Sequence, residues 1–386
     1  MRWVSTVSGA PHLDAAAVEA AGTVRTALGA QEPDLLLAFV SEHHREDYER
    51  LPMLLGRHFG TGVLLGCSAG GVIGGGHEVE GRAGLSLTAA VLPGVDVTPL
   101  RIGPDAATRD ALERLPLATE PQFVLLPDPF TFDAEGFVRL LDEALPASAK
   151  IGGLASGGRQ PGDNALYLGD TTYREGLVGV ALAGNVAVDT VVAQGCRPIG
   201  EPMFVTRADR NVIRELDGRR PLEVLQELHL RVPAADRPLF QTSLFVGIVM
   251  RAAQAEYHQG DFLIRNLIGM DPKTGALAVG AAVRDNQVVQ FHLRDARTSA
   301  DDLEQLLARY HGEHAASPPA GSLLFSCLGR GVHLYGAPDH DTAALRRHVG
   351  DVPLGGFFCN GEIGPVQGTT FLHGYTSAFG LFRNRR

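Results

Sequence analysis

The sequence predicts an α/β fold, with an α+β arrangement as the alternative, built from repeated units in two lobes. Three observations support this prediction. Apolar runs typical of buried strands alternate with segments of helical period. Glycine supplies 47 of the 386 residues, above the usual share of about 7%. These glycines cluster after the apolar runs, and the same order of elements returns along the chain.

The first unit begins with LLLAFVS, residues 35–41, which is typical of a buried strand. A helix-like segment follows through residues 51–59, then the strand VLLGCSAGG, a glycine-rich turn and the strand GLSLTAAVL, residues 84–92. The predicted unit is therefore strand, helix, strand, glycine loop, strand.

Two further copies of this unit follow. The second contains QFVLLPDPF, the helical segment DAEGFVRLLDEAL, KIGGLASGG and GLVGVALAG, and GCSAGG aligns with GLASGG. The third contains SLLFSCLGRG, a helix at residues 341–349, PLGGFFCNGEIGP and TFLHGYTSAFGLF. Recurrence of one supersecondary unit indicates an internally repeated architecture.

A different pattern separates the second and third copies. FLIRNLIGMDPKTGALAVGAAVRDNQVVQFHLRDA carries two turn signals between alternating apolar residues and predicts a β-meander insertion. The polar segment 197–210 contains Pro198 and Pro202 and interrupts the repeats. We therefore predict two domains, 1–196 and 197–386.

Composition excludes several classes of function. The net charge of −10 argues against nucleic-acid partners, because that affinity depends on Lys and Arg. The apolar runs fall short of the 18 residues needed for membrane insertion. Four widely spaced cysteines without a C-x-x-C pair favour reduced thiols, so we expect a cytoplasmic protein.

These motifs resemble the FIST family. LLGCSAGGVIGGG with GLSLTAAVLPG resembles the FIST N-terminal domain, and FLIRNLIGMDPKTGALAVG, LLFSCLGRG and GGFFCNGEIGPVQGTTFLHGYTSAFGLFR resemble the FIST C-terminal domain. The resemblance runs from about residue 30 to Arg383 and is most specific in the closing segment. It implies an intracellular sensory module for a small ligand such as an amino acid. Because the FIST region fills the chain, we expect either a separate signalling partner or a binding protein with another purpose.

Six polar residues are the predicted ligand contacts. Glycine loops at strand ends expose backbone N–H groups that attract anions, and ligands of α/β sheets bind at such edges. Arg330 is suited to a carboxylate and Glu362 to an ammonium group, a pair that matches an amino acid. The alternatives are a solvated or ion-paired Arg330, capping serines and a structural histidine. The predicted residues are Ser68, Ser156, Arg330, Asn360, Glu362 and His373.

Catalysis is the alternative function. Residues 66–70 match the G-x-S-x-G nucleophile elbow, but the sequence after Ser68 is a poor helix former. A thiol nucleophile at Cys67, Cys327 or Cys359 would need a neighbouring histidine. Such a protein would be a hydrolase or acyl transferase, and a scaffold without a small ligand is the third interpretation. We predict no catalytic residue, metal site or cofactor, since metal-ligand spacings and phosphate-binding fingerprints do not occur.

Overall fold

The computed structural model describes residues 1–60, 62–105, 112, 118, 120–251 and 254–385. The chain divides into two compact units. Unit 1 contains Met1–Val192 and Glu304–Arg386, and unit 2 contains Ala193–Leu303. In the described part, no helix is long and apolar enough to cross a membrane.

The described residues form the strands and helices of a mixed α/β fold, as the sequence predicts. The α-helices are α1 (Leu13–Leu28), α2 (Leu51–Gly56), α3 (Ala134–Ala144), α4 (Pro221–Arg231), α5 (Arg237–Thr242), α6 (Ala296–His314), α7 (Gly331–Tyr335) and α8 (His340–Val349). Short 3₁₀ helices cover Glu42–Arg50 and Ala234–Asp236. The strands are β1 (Arg2–Ser8), β2 (Leu35–Ser41), β3 (Val63–Ala69), β4 (Gly71–Gly74), β5 (His77–Glu80), β6 (Leu85–Val91), β7 (Val95–Ile102), β8 (Gln122–Pro127), β9 (Lys150–Gly153), β10 (Leu166–Leu168), β11 (Thr171–Tyr173), β12 (Leu177–Gly184), β13 (Ala187–Ala193), β14 (Cys196–Asp209), β15 (Val212–Leu216), β16 (Leu244–Val249), β17 (Phe262–Met270), β18 (Leu277–Val279), β19 (Val288–Arg294), β20 (Gly321–Cys327), β21 (Leu354–Cys359), β22 (Glu362–Val366), β23 (Thr369–His373) and β24 (Ser377–Arg383).

Unit 1 contains three six-stranded mixed sheets with one common plan. Their strand orders are β1-β6-β2-β3-β10-β11, β7-β12-β8-β9-β22-β23 and β13-β24-β20-β21-β4-β5. The third strand of each order is parallel to the fourth and antiparallel to the second. The three copies predicted from the sequence therefore build three equivalent sheets.

The copies also exchange hairpins in a cycle. The first sheet ends with hairpin β10–β11 from the second copy, the second with β22–β23 from the third, and the third with β4–β5 from the first. Each sheet therefore takes its last two strands from a different copy of the repeat, and no single copy supplies a complete sheet. The buried residues of all three sheets meet in one apolar core that contains Phe39, Phe325 and Phe357.

One glycine per copy fixes the structural alignment of the repeats. Each faces the first strand of its copy so closely that an added Cβ would lie 1.9 Å from a backbone carbonyl oxygen: Gly66 with Ala38, Gly152 with Leu125 and Gly356 with Leu324. Gly66 therefore corresponds to Gly152, whereas the sequence alignment of GCSAGG with GLASGG paired Gly66 with Gly153. That alignment was wrong by one residue. It matched the glycines by local sequence similarity, whereas the close contact between each glycine and the neighbouring strand is visible only in the structure.

Unit 2 is a closed barrel of order β14-β15-β18-β17-β16-β19. The predicted turn at Asp271–Gly275 joins the paired strands β17 and β18, as a meander requires. The strand after the second turn pairs with β16 and β14 and closes the barrel. Segment 197–210, predicted as a pattern break, lies in the long strand β14, whose register with β19 is irregular between Ile199 and Met203. Pro202, which lacks a ladder N–H, lies within this irregularity, whereas Pro198 pairs with His292 in the regular part of the ladder.

The two-lobe arrangement is confirmed, but the units are not consecutive halves. Unit 2 begins four residues before the predicted border, and the chain rejoins unit 1 at Glu304. The reason is that β20, β21 and β24 build the third equivalent sheet of unit 1, while β22 and β23 complete the second. The division into domains 1–196 and 197–386 stays a prediction.

Candidate functional site

The carboxyl ends of β3, β9 and β21 meet in unit 1. We call residues 68–70, 154–156 and 358–360 the strand-end ring. The backbone N–H of Ser156 donates to the Ser68 carbonyl at 3.1 Å, and that of Asn360 donates to the Leu154 carbonyl at 3.2 Å. The Ser156 hydroxyl closes the ring, since it accepts from Gly70 N–H at 2.9 Å and donates to the Phe358 carbonyl at 2.5 Å.

The two predicted serines lie inside this ring. The Ser68 hydroxyl lies 3.1 Å from the Ser156 carbonyl oxygen and 3.3 Å from Asn164 Oδ1, and accepts from Ala165 N–H at 3.1 Å. Both serines are fully buried. Strand β4 follows Ser68, where a nucleophile elbow requires a helix. The hydroxyl groups therefore satisfy loop backbone, as one of the two interpretations from sequence proposed.

Asn360 reaches solvent at the ring. Its side chain is exposed, and Nδ2 donates to the Ala155 carbonyl at 3.2 Å. Of the six predicted residues, it alone presents a polar side chain at the surface.

Arg330 is buried completely and paired with Asp341. Nε donates to Asp341 Oδ2 at 3.0 Å, and Nη2 donates to Oδ1 at 3.2 Å and to the Tyr335 hydroxyl at 2.5 Å. Nη1 is buried without a hydrogen-bond partner among the described residues. Burial would lower the pKa of Arg330, but the Asp341 charge outweighs burial and raises it. Burial would raise the pKa of Asp341, but Arg330 holds it well below its usual range.

Glu362 and His373 are also internal. Glu362 accepts from Thr376 N–H at 3.0 Å and from its hydroxyl at 2.7 Å, and the Cys359 thiol donates to it at 3.4 Å. Burial raises the pKa of Glu362 to about 7, against the hydrogen bonds from Thr376. His373 Nε2 lies 2.9 Å from the Gly364 carbonyl oxygen. Both side chains thus make hydrogen bonds inside unit 1, and their contact with a ligand stays a prediction.

The structure thus brings Ser68, Ser156 and Asn360 together. Arg330 and Glu362 lie within electrostatic reach of each other, because the arginine charge acts on the pKa of Glu362. Arg330 is held by Asp341, however, so the predicted open clamp for a zwitterion is not formed in this conformation. In the described ranges, no group of three His, Cys, Asp or Glu side chains is placed to hold a metal ion.

A cavity of about 320 Å³ lies in unit 1, and sequence reasoning missed it. We call it the metabolite cavity. Residues 3–5 of β1, residues 75–76 of the β4–β5 turn and residues 350–354 line it together with Thr342, Leu345 and Arg346 of α8. Its volume is within the range of small-molecule sites.

One positive and one negative side chain line this cavity. Arg346 and Asp351 are both exposed, and neither forms an ion pair with a described residue. Trp3 is 4% exposed, and its indole Nε1 is buried with no acceptor among the described residues. Buried donors in folded proteins nearly always have a partner, which can be an unseen water or ligand.

Helix α8 connects the cavity to Arg330. Asp341 in its first turn holds the arginine, and the next residue, Thr342, lines the cavity. Thr342 N–H donates to Glu78 Oε1 at 2.9 Å, while Glu78 Oε2 is buried without a described partner. Burial, followed by the nearby Asp341 charge, raises the pKa of Glu78. Movement of α8 would therefore disturb a buried charged network.

Two family models match this chain. The FIST N domain model matches residues 34–219, and the FIST C domain model matches residues 221–365. Their border lies inside unit 2.

Relatives of similar length have mycobacterial sources. An uncharacterized protein of Mycobacterium tuberculosis is 39% identical over 379 residues, which cover 97% of this chain and 98% of that protein. One from Mycobacterium bovis is 37% identical over 379 residues, with 96% of each chain covered. An F-box/LRR-repeat protein of Arabidopsis thaliana is 21% identical over 311 residues, 68% of this chain and 58% of that protein.

The solved structure of a cyanuric acid hydrolase aligns over 100% of this chain and 100% of its own, with 10% sequence identity and a TM-score of 0.30. A likeness at that level transfers neither fold nor chemistry.

Proposed function

This chain belongs to the FIST family, and we propose that it is a sensory protein that binds a small zwitterionic metabolite in the metabolite cavity. FIST domains are associated with sensory and signalling roles. The proposal assigns the ligand a carboxylate, an ammonium group and a small apolar body, which are the features of an amino acid.

The pair Arg346 and Asp351 carries this proposal. A cation and an anion without described ion-pair partners flank one cavity, so a zwitterion satisfies both at once. Arg offers a planar fork of donors to a carboxylate, and Asp accepts from an ammonium group. Trp3, Val4 and Leu345 supply apolar wall for the body of the ligand.

Helix α8 supplies a route for the signal. A ligand that draws Arg346 toward the cavity moves the helix whose first turn carries Asp341. Asp341 pairs with the buried Arg330. A shift of α8 would therefore change the energy of this buried ion pair. A ligand shifts a conformational equilibrium only as far as it binds one state better than the other. The two states here are the paired arrangement described above and one with α8 displaced.

The six residues predicted from sequence have a second role in this proposal. Their direct contact with ligand stays a prediction. We propose that Arg330 and Glu362 respond to the ligand through α8, while Ser68, Ser156, Asn360 and His373 hold the strand ends in place.

We further propose that the protein works in the cytoplasm and acts on a separate partner protein. The four cysteines are thiols rather than disulfides, and Cys67, Cys196 and Cys359 are buried. Thiols in this state are typical of a reducing compartment.

A thermal-shift screen against amino acids, small carboxylates and nucleotides tests the function. A ligand at a hundredfold excess over its Kd stabilises the folded state by about 2.7 kcal/mol. We expect a saturable shift with zwitterions and a smaller one with the matching amides or amines, which lack one charge. A panel without any shift would contradict the proposal.

A matched pair of variants locates the site. Arg346→Gln removes the cavity cation, whereas Arg347→Gln alters the neighbouring arginine, which pairs with Glu304 and does not line the cavity. We expect Arg346→Gln to abolish the shift and Arg347→Gln to retain it. Equal shifts in both variants would place the ligand elsewhere.

A further inference from the structure

Unit 2 contains a second cavity, of about 420 Å³, between β14 and α4. Six apolar side chains line it: Ile199, Met203, Val224, Leu228, Val232 and Pro233. The volume and largely apolar walls are typical of a site for a small organic ligand rather than an ion.

The shape of this cavity follows from the irregular part of β14. Register with β19 is interrupted between Ile199 and Met203, and Gly200 has a φ of +65°. Leu228 of α4 packs against that glycine so closely that an added Cβ would lie 2.8 Å from its Cδ1. The helix is therefore seated on the irregular strand at one point, and the cavity lies beside that contact.

Surplus positive charge lies at the α4 side. Glu227 accepts from Arg219 Nη2 at 2.7 Å and from Arg231 Nη2. The hydrogen bond from Arg219 and the charge of Arg231 lower the pKa of Glu227, so its carboxylate is ionised at neutral pH. One carboxylate thus serves two guanidinium groups, whose Nε and Nη1 donors have no partner among the described residues.

The other charges of the lining restrict a ligand to a single negative charge. Arg197 pairs with Asp236 at 2.6 Å and with Asp295 at 3.1 Å, so two carboxylates already balance its charge. Glu201 also lines the cavity and has no ion pair in the described part. It would repel a second carboxylate, since like charges in one site oppose each other.

We propose that this cavity binds an amphipathic monocarboxylate, with its aliphatic or aromatic body against the apolar walls and its carboxylate between Arg219 and Arg231. Apolar burial provides most of the affinity, and charge-assisted hydrogen bonds orient the carboxylate. The site is independent of the metabolite cavity, so either proposal can fail alone.

Calorimetric titration of the full chain with submicellar decanoate tests this proposal, with decanol and decylamine as neutral and cationic analogues. We expect saturable one-to-one binding of decanoate and affinity at least about tenfold weaker for both analogues, the loss expected for one charge-assisted contact. Equal affinity for decanoate and decanol would contradict the carboxylate position.

Three variants place the site. The double change Arg219→Gln with Arg231→Gln should weaken decanoate at least about tenfold. Arg214→Gln is the control, because this arginine pairs with Asp209 outside the cavity. Met203→Trp should block the apolar body of the ligand. Circular dichroism confirms folding of each variant, and unchanged decanoate binding in the double variant or in Met203→Trp would overturn the assignment.

Discussion

The buried network of Arg330 and Asp341 and the metabolite cavity place similar side chains in opposite situations. Within the network, Arg330 is fully buried and bound to Asp341 through two nitrogens. At the cavity, Arg346 is exposed and has no described ion pair. The guanidinium group of Arg330 stabilises the fold, whereas that of Arg346 can donate hydrogen bonds to a ligand. The presence of a polar residue in a recognisable sequence motif therefore does not show that the residue contacts a ligand.

The largest effect should come from breaking the buried pair. Arg330→Met leaves Asp341 buried without its cation and should lower the free energy of unfolding by about 3–5 kcal/mol. Urea denaturation measures this loss. Arg330→Met combined with Asp341→Leu should recover part of it, since no lone charge is left inside. A single variant as stable as the wild type would show that the pair is not structural.

The next effect is a pH dependence from Glu362. Its folded-state pKa of about 7 lies above the ordinary 4.5, a difference equivalent to about 3 kcal/mol. Because the folded pKa is the higher one, this stability is present below about pH 4.5 and lost as the pH rises through about 7.

Glu362→Gln should remove that part of the pH dependence when unfolding is measured from pH 4.5 to 8.5. Glu256→Gln, at an exposed carboxyl group, should leave the profile unchanged. Parallel profiles for wild type and Glu362→Gln would contradict the burial of a titrating carboxyl group at this position.

A smaller loss should follow from Gly356→Ala. The new Cβ would meet the Leu324 carbonyl oxygen at 1.9 Å, and overpacking of this kind costs about 1–3 kcal/mol. Gly22→Ala in α1 is the control, because nothing beyond the adjacent backbone of its own helix lies within 4 Å of the added Cβ. The control should gain up to about 1 kcal/mol. Calorimetric melting of both variants shows whether the loss of stability comes from the close contact of position 356 with the Leu324 carbonyl or from replacing a glycine in general.

The smallest effect should come from Asn360→Ala. The side chain is exposed and donates one bond to the Ala155 carbonyl, so the free energy of unfolding should fall by only about 0.5–1.5 kcal/mol. Affinity for the zwitterion should not change. A tenfold loss of affinity in this variant, with none in Arg346→Gln, would reverse the comparison and make the strand-end ring the ligand site.

The repeats were predictable from sequence because they depend on local patterns. Strand β2 has the predicted bounds Leu35–Ser41, and α3 begins one residue after its capping Asp133. The cyclic exchange of hairpins was not predictable, since β4 pairs with β21 nearly 300 residues later. Pairings of that kind depend on tertiary packing rather than on local propensity.

The site was harder to predict than the fold. The glycine loops placed Ser68, Ser156 and Asn360 at predicted strand ends, whereas the contacts that bring the three together depend on tertiary packing. The burial of the two serines could not be read from sequence, and neither could the pairing of Arg330 with Asp341. The metabolite cavity is assembled from β1, a hairpin turn and α8, and no motif marks Trp3, Arg346 or Asp351.

Trp3 permits the most direct test, because it is the single tryptophan of the chain and lines the metabolite cavity. Its fluorescence should change saturably when amino acids are titrated, and Arg346→Gln should move the midpoint at least about tenfold to higher concentration. No saturable change across the panel, or the same midpoint in Arg346→Gln, would contradict ligand binding at this cavity.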